Sequence, residues 1–463
     1  MNPLHSLLTR RRALSIGGHG MLGLSLAQLL KPAALCAEST ATEAPRVRAK
    51  SVIFLFQWGG PSHIDMFDMK PEATENIRGP YQPIASSAPG ISVCEHLPNV
   101  AKIMDKVTLV RSVNHRMKNH NPAGYYALTG HAPPVDDIRL RDTLELFPAY
   151  GSAVARFGPG AAELPTFVAL PHVMRDGELT PGQHASFLGK QHDPLLITND
   201  PNDPNFALPE LSLPAGLNPQ RMASRAALQS IINSQARLAE HAAAARGLDA
   251  QVHRALEMVH SSQVRQAFDL SSEPAELRDA YGRHTYGQSM LLARRLVEAG
   301  VRFVNVYFDP SIGGQSKTAG GWDTHGFNNT RMFPIIEARH LPMTDQTLPV
   351  FLNDLDQRGL LDDTLVIWMG EFGRTPRINS AVSRDHWPQC YTVLLAGGGV
   401  KRGFVYGASD KKGASPARDP VRLDDLSATM FHLLGIDPHQ EMIDPVGRPF
   451  PIADGRVIHD LMA

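Results

Sequence analysis

Twice in its second half the chain runs from an amphipathic helix, through a glycine, into a short β-rich apolar run. That unit limits the possible folds more than any other feature. Met290, Ala293, Leu296 and Val297 recur at three- and four-residue spacing, one face of a helix, and Gly300 stops it. Val301-Arg302-Phe303-Val304-Asn305-Val306-Tyr307 then starts a strand. Leu348, Phe351, Leu352 and Leu355 mark the second helix, closed by Gly359, which feeds Thr364–Met369. That run is long enough for a buried strand and too short for a free-standing helix. Similar runs lie at Ser51–Phe56, Val107–Val110, Thr166–Leu170 and Tyr391–Ala396. A last helix carries Leu426, Thr429, Met430 and Leu433, with Asp424 or Asp425 as its cap and Gly435 as its stop. Strands alternating with helices predict an α/β fold, a mostly parallel sheet sandwiched by helices. A composition of 43% hydrophobic and 20% charged residues is ordinary for a globular protein. We expect one α/β domain over 51–463, with a mainly helical segment at 218–300 rich in Ala, Gln, Arg and Glu.

The first 37 residues stand apart. Thr9-Arg10-Arg11-Arg12-Ala13-Leu14 is a twin-arginine pattern, followed by an apolar stretch from Ile16 to Leu30, broken by Gly17, Gly18, His19, Gly20 and Gly23, that is too short and too glycine-rich for a good membrane span. Small residues at Ala33, Ala34 and Ala37 offer cleavage sites, so residues 1–37 read as an export signal and 38–50 as a spacer. Cys36 follows Leu35, a poor match to the small residue that lipoprotein sites prefer. The expected location is the periplasm or cell surface, with no transmembrane span in the mature chain. The leader holds Arg10, Arg11, Arg12 and Lys31 and no acid, so the remainder is acidic overall, and nothing points to a nucleic-acid surface. Cys94 and Cys390 allow at most one internal disulfide in the mature chain.

In a sheet of this kind ligands bind beyond the carboxyl ends of the strands. The loops there are the ones rich in charge. After Thr364–Met369 come Gly370, Glu371, Phe372, Gly373 and Arg374, and a polar loop then delivers Arg384-Asp385-His386. Gly321-Trp322-Asp323-Thr324-His325-Gly326 sets a carboxylate and an imidazole two residues apart, on one side of an extended loop. Gly59-Gly60-Pro61 ends the first strand and leads to Asp65 and Asp68, of which Asp65 is favoured as a ligand and Asp68 as a turn cap. His115, His120 and His131 cluster after the second strand, and Pro122 suits a helical first turn, which places His120 at the helix N-terminus. Such groups can hold a divalent ion or a phosphate, or form a loop salt-bridge cluster.

Together, the twin-arginine leader, GGPSHIDMFDMKP, YGQSMLLARRLVEAGVRFVNV, GWDTH, GEFGRTP and RDHW resemble the bacterial family catalogued as domain of unknown function 1501. The resemblance runs from the leader to the C-terminus, and it implies a fold shared with alkaline phosphatases and sulfatases. Asp363–Ile367 followed by Gly370-Glu371-Phe372-Gly373 is similar to the sulfatase strand ending in Ser-Asp-His-Gly. Asp425–Thr429 with Leu434-Gly435-Ile436 is similar to the late sulfatase helix. His120-Asn121-Pro122 with Leu128-Thr129-Gly130 matches the spacing of the sulfatase nucleophile motif. The departures are as definite: His120 stands at the nucleophile position, Gly124 at the motif's arginine, Gln57 and Trp58 at the paired aspartates, and Glu371-Phe372 at the Asp-His pair.

The resemblance implies an exported, metal-dependent hydrolase of phosphate or sulfate esters. Asp65, Asp323, His325, Glu371, Asp385 and His386 are the expected ligands of one or two divalent ions. Mixed imidazole and carboxylate donors favour zinc or manganese, with calcium as a further possibility. His120 is a nucleophile, a base or a ligand, and Arg374 is placed to steady the anion. The expected partner is a small anionic ester or a sulfated or phosphorylated glycan. The rival is a non-catalytic, metal-containing binding protein of the cell envelope, holding an anionic glycan or a protein.

Overall fold

The structure is a computed structural model, and it describes residues 47–159, 164–207, 261–308, 321–326 and 331–463. The export signal at 1–37, the spacer before residue 47 and the 218–260 part of the helical segment lie outside the described residues. The main sheet contains β1 (Ser51–Gln57), β2 (Val107–Val113), β3 (Phe167–Leu170), β4 (Leu195–Leu196), β5 (Phe303–Phe308), β6 (Thr364–Met369), β7 (Tyr391–Ala396) and β8 (Phe404–Tyr406). Their order across the sheet is β8-β2-β7-β6-β1-β5-β3-β4. β1 lies between β5 and β6, parallel to both, with Phe54 opposite Asn305 on one side and Ile367 on the other. Only β7 runs against its neighbours, β6 and β2, while the remaining pairs are parallel.

Because helices cover both faces, the central strands are apolar on both, and every residue of β1 is buried. Its side chains alternate between two cores. Ile53 and Leu55 join Met290 and Leu296 of helix α3 (Thr285–Ala299) and Phe351 and Leu355 of helix α4 (Leu341–Gln357), the pair anticipated from their spacing. Val52, Phe54 and Phe56 face the other way, toward Tyr126 of α1 (His120–Thr129), Val154 of α2 (Tyr150–Phe157) and Phe431 of α5 (Leu423–Leu433).

Gly300 ends α3 in the left-handed region, at φ 110°. The start of α5 differs from expectation. Arg422 is the cap residue, and Asp425 reaches back from the third helical position to accept its N–H at 3.0 Å. The described part of the helical segment holds Ser262–Phe268, Ala275–Tyr281 and α3. Cys94 and Cys390 are both buried and unpaired with each other. Among the described residues no helix is long and apolar enough to cross a membrane.

Candidate metal centre

Three parallel strands, β1, β5 and β6, end at the same edge of the sheet, and the loops leaving them meet there. The loop after β1 passes through Gly59 at φ 96°, and its N–H donates to both carboxylate oxygens of Glu371, at 2.9 and 3.1 Å. A Cβ at this position would lie 2.1 Å from the backbone nitrogen of Asp323, so only glycine lets the two loops approach this closely. Trp322 donates its N–H to the Trp58 carbonyl at 2.7 Å, which ties the Asp323 loop to the exit of β1. After β6 the chain forms a hairpin in which Gly373–Arg374 pairs antiparallel with His386–Trp387, and this brings His386 back to the same edge.

The fourth contributor is α1. Its entry is fixed by Asp136, which accepts the N–H groups of Lys118 and Asn119 at 2.9 and 3.1 Å. His120 is the first helical residue, as the Pro122 spacing anticipates. Trp58, at the end of β1, stacks on its ring with centroids 4.9 Å apart. That stack also accounts for Gly124, where a Cβ would sit 3.1 Å from the Trp58 ring and 3.2 Å from the Thr180 methyl.

Asp323 is the hub. Its Oδ2 lies 3.2 Å from His120 Nε2 and 3.6 Å from His325 Nε2, and its Oδ1 lies 2.9 Å from His386 Nε2 and 3.0 Å from Arg374 Nη2. One ligand atom from each of His120, Asp323 and His386 can be chosen so that all lie within 4.8 Å of one another. The far nitrogens of two of these imidazoles are tied down. His120 Nδ1 meets Glu371 Oε1 at 2.8 Å, and His386 Nδ1 meets the Lys118 carbonyl at 2.9 Å. A carbonyl can only accept, so Nδ1 of His386 carries a proton and the neutral ring turns the lone pair of Nε2 toward Asp323. Burial holds His386 down at about 4, which keeps it neutral near pH 7. Burial also opposes charge on His120, yet the Asp323 and Glu371 carboxylates prevail and push it up to about 10. Burial likewise works against charge on Asp323, but the charge and hydrogen bond of His120 hold it well below the usual carboxylate range.

A neutral imidazole lone pair facing a carboxylate oxygen at 2.9 Å is acceptor against acceptor. A cation between them turns that repulsion into ligation. The donor set of two imidazoles and one carboxylate, with His325 beside it, therefore fits a divalent ion, with Glu371 and the Lys118 carbonyl orienting the two rings.

The structure brings His120, Asp323, His325, Glu371 and His386 together. It does not bring Asp65 or Asp385. Asp65 is fully buried against Arg384, which donates from Nε at 2.7 Å and from Nη2 at 3.0 Å, and Ser62 takes up Oδ2 as well. Asp385 is exposed and accepts from Asn379 Nδ2 at 3.0 Å. Glu371 acts on His120 rather than within the three-residue group. Arg374 is buried, and its guanidinium holds the carbonyls of Gly59, Gly60 (2.9 Å), Trp322 (2.6 Å) and Arg384 (3.2 Å) besides Asp323. It is thus a positioning residue, not an anion clamp open to the cleft. Three contributors were not anticipated: the Trp58 ring, the Lys118 carbonyl, and Phe372, which stacks on His386 at 4.3 Å. Trp58 and Phe372 each follow a predicted strand, and an aromatic residue at that point was the available signal. His131 lies apart, stacked on Phe147 at 3.8 Å.

No curated protein matches the chain in sequence. Among solved structures it is similar to the PsFucS1 sulfatase from Pseudoalteromonas sp., at 13% identity over 85% of this chain and 69% of that one, TM-score 0.38. It is also similar to the phosphonate monoester hydrolase SpPMH from Silicibacter pomeroyi, at 12% identity over 90% and 76%, TM-score 0.38. A protein in the alkaline phosphatase superfamily from Vibrio parahaemolyticus gives 10% identity over 84% and 67%, TM-score 0.39. Likeness this faint transfers neither chemistry nor substrate. The sequence match is of another order: the model described as "Protein of unknown function (DUF1501)" covers residues 49–462, and this chain belongs to that family.

Proposed function

We propose that the chain is an exported, metal-dependent hydrolase of phosphate or sulfate esters, with His120, Asp323 and His386 holding a divalent ion and His325 beside them. The observation that carries this reading is the cluster's polarity. One carboxylate faces three imidazole nitrogens, and two of those rings are braced from behind by acceptors. When bound, the ion, zinc or manganese in preference to calcium, supplies a Lewis acid for the ester oxygens and lowers the pKa of water. Arg374 fixes Asp323, Glu371 fixes His120, and the Trp58 and Phe372 rings cover the imidazole faces against solvent. Both nitrogens of His120 meet carboxylates, which supports a ligand role over a nucleophilic one, since attack would require Nε2 to leave Asp323. The same engagement supports the second reading, a metal-containing binding protein of the cell envelope for an anionic glycan or a protein. The twin-arginine pattern supports export to the periplasm or cell surface.

Elemental analysis and turnover of aryl phosphate and aryl sulfate esters separate these readings. The purified chain is expected to hold a stoichiometric divalent ion and to lose it in Asp323→Ala and His325→Ala. His120→Ala is expected to lower metal occupancy and turnover together. Loss of turnover with full occupancy would instead make His120 a reacting group. A folded, metal-free chain indifferent to zinc, manganese and calcium refutes the metal centre. A loaded chain inert toward both esters leaves the binding reading.

A further inference from the structure

The helix that feeds β6 begins before α4. A turn at Met332–Ile335 and a π-helical turn at Ile336–His340 run into Leu341–Gln357 without a break. A π turn holds one residue more than an α turn, and each added residue rotates what precedes it by about 100°. The burial pattern records that shift. Glu337 stands about three α turns before Leu348, so an unbroken helix would set it on the same buried face. Instead Glu337 and Ala338 are exposed, while Ile336 and His340 are buried. The extra residue keeps a carboxylate out of the core and turns an imidazole into it.

That imidazole meets the loop that carries Asp323. The His340 ring packs against Trp322, with centroids 4.8 Å apart, and against Phe308 at 5.4 Å. Its Nε2 lies 2.5 Å from the Gly321 carbonyl and its Nδ1 3.3 Å from the Ile335 carbonyl. Burial pushes the ring down to about 4, so near pH 7 it is neutral and has one proton for two acceptors. The shorter contact takes it, and Nε2–H donates to Gly321, two residues before Asp323. Trp322, between them, donates its indole N–H to Gln57 Oε1 at 3.2 Å. The same helix also reaches the loop that leads to His386: the Met332 N–H donates to Ser383 Oγ at 2.9 Å. One rod thus touches the approaches to two of the candidate ligands.

We propose that the π turn is a registering device for the centre and that His340 is a positioning residue, which through Gly321 sets where the Asp323 carboxylate stands between His120 and His386. Single π turns within α-helices occur frequently at functional sites, and here the added residue is what brings the imidazole to the loop. The proposal rests on the metal-centre reading for its purpose. Its own evidence is the shifted burial pattern and the helix's contacts with both loops.

The test is titration of the full chain with zinc, in competition with a chelator of known affinity, for the native chain, His340→Phe and His340→Gln. The first variant keeps a flat ring against Trp322 and Phe308 but has no donor. The second keeps an N–H donor at close to the reach of Nε2. His340→Phe is expected to weaken zinc binding about tenfold, and His340→Gln to stay within about threefold of the native chain. Native affinity in His340→Phe overturns the proposal. Equal weakening in both variants also overturns it, since the packing of the ring would then be the cause. ¹⁵N NMR of the native chain gives a reading that needs no variant to fold. The His340 proton is expected on Nε2; found on Nδ1, it serves Ile335, and the proposal falls. A native chain that binds no zinc refutes the metal centre, while a proton on Nε2 in that same chain upholds the tie to Gly321.

Discussion

Asp65 and Asp323 are both carboxylates on loops that leave the same sheet edge, and both are held by arginine, yet they do opposite things. Asp65 meets one guanidinium, both groups are fully buried, and Arg384 fills its remaining bonding with the carbonyls of Ile77 (2.7 Å), Thr375 (3.0 Å) and Pro376. Charge and hydrogen bonds close on themselves, and nothing is left over for a ligand. Asp323 is about one quarter exposed and faces three imidazoles as well as an arginine, more nitrogens than one carboxylate can balance. The lesson is about counting. A carboxylate with one matched partner holds the fold, whereas one ringed by braced nitrogens at a solvent-facing edge is a candidate site.

Cutting the closed pair should have the largest consequence. Arg384→Ala strands Asp65 in the interior, and a loss of about 3–5 kcal/mol is expected in urea unfolding. Asp65→Leu with Arg384→Met should recover much of it. A loss below about 1 kcal/mol for Arg384→Ala would mean that water reaches the pair, and the contrast with Asp323 would fade.

Acid sharpens the contrast next. His115 and His340 are buried, and burial pushes each down from 6.5 to about 4. Both approach carbonyls on the loops that carry the centre's carboxylates: Glu371 at 2.7 Å and Gly321 at 2.5 Å. Between pH 6.5 and about 4 the unfolded chain binds protons that the folded chain does not. Stability is therefore full above about 6.5 and falls as the pH drops toward 4, by up to about 3 kcal/mol for each histidine. Urea midpoints measured across this range should fall more gently in His340→Gln; an unchanged slope would show that His340 can protonate in the folded state.

The smallest effect probes the bracing alone. Glu371→Gln keeps an acceptor near His120 but removes the charge. Metal affinity should weaken about 10–100-fold, with little change in the unfolding of the chelated chain. Equal affinity in a competition titration would mean that Glu371 does not tune the site.

Much of this architecture is legible in the chain itself. Thr364–Met369 and Tyr391–Ala396 are strands over those same residues, because a β-rich apolar run bounded by polar or glycine residues has few other uses. The reversed direction of β7 is not legible, since periodicity carries no sense of direction. His120, Asp323, His325, Glu371 and His386 could be gathered as candidates because each follows a strand or opens a helix. Which of them meet depends on side-chain pairing over long separations. Arg384 claims Asp65 from 319 positions away, and no local spacing announces that. Arg374 looked like an anion clamp for the same reason: the carbonyls that occupy it belong to Gly59, Gly60, Trp322 and Arg384, none of them a sequence neighbour of Arg374.

The Arg374 guanidinium also sets an order of events. It joins backbone from the exit of β1, the approach to Asp323 and the returning hairpin, so its bonds can close only when segments from Gly59 to Arg384 are in place together. No fragment ending before the hairpin can assemble the candidate ligands, because His386 lies at its far arm. If the proposed ion binds there, its uptake during refolding is a terminal event, and a loaded chain is by construction a finished one.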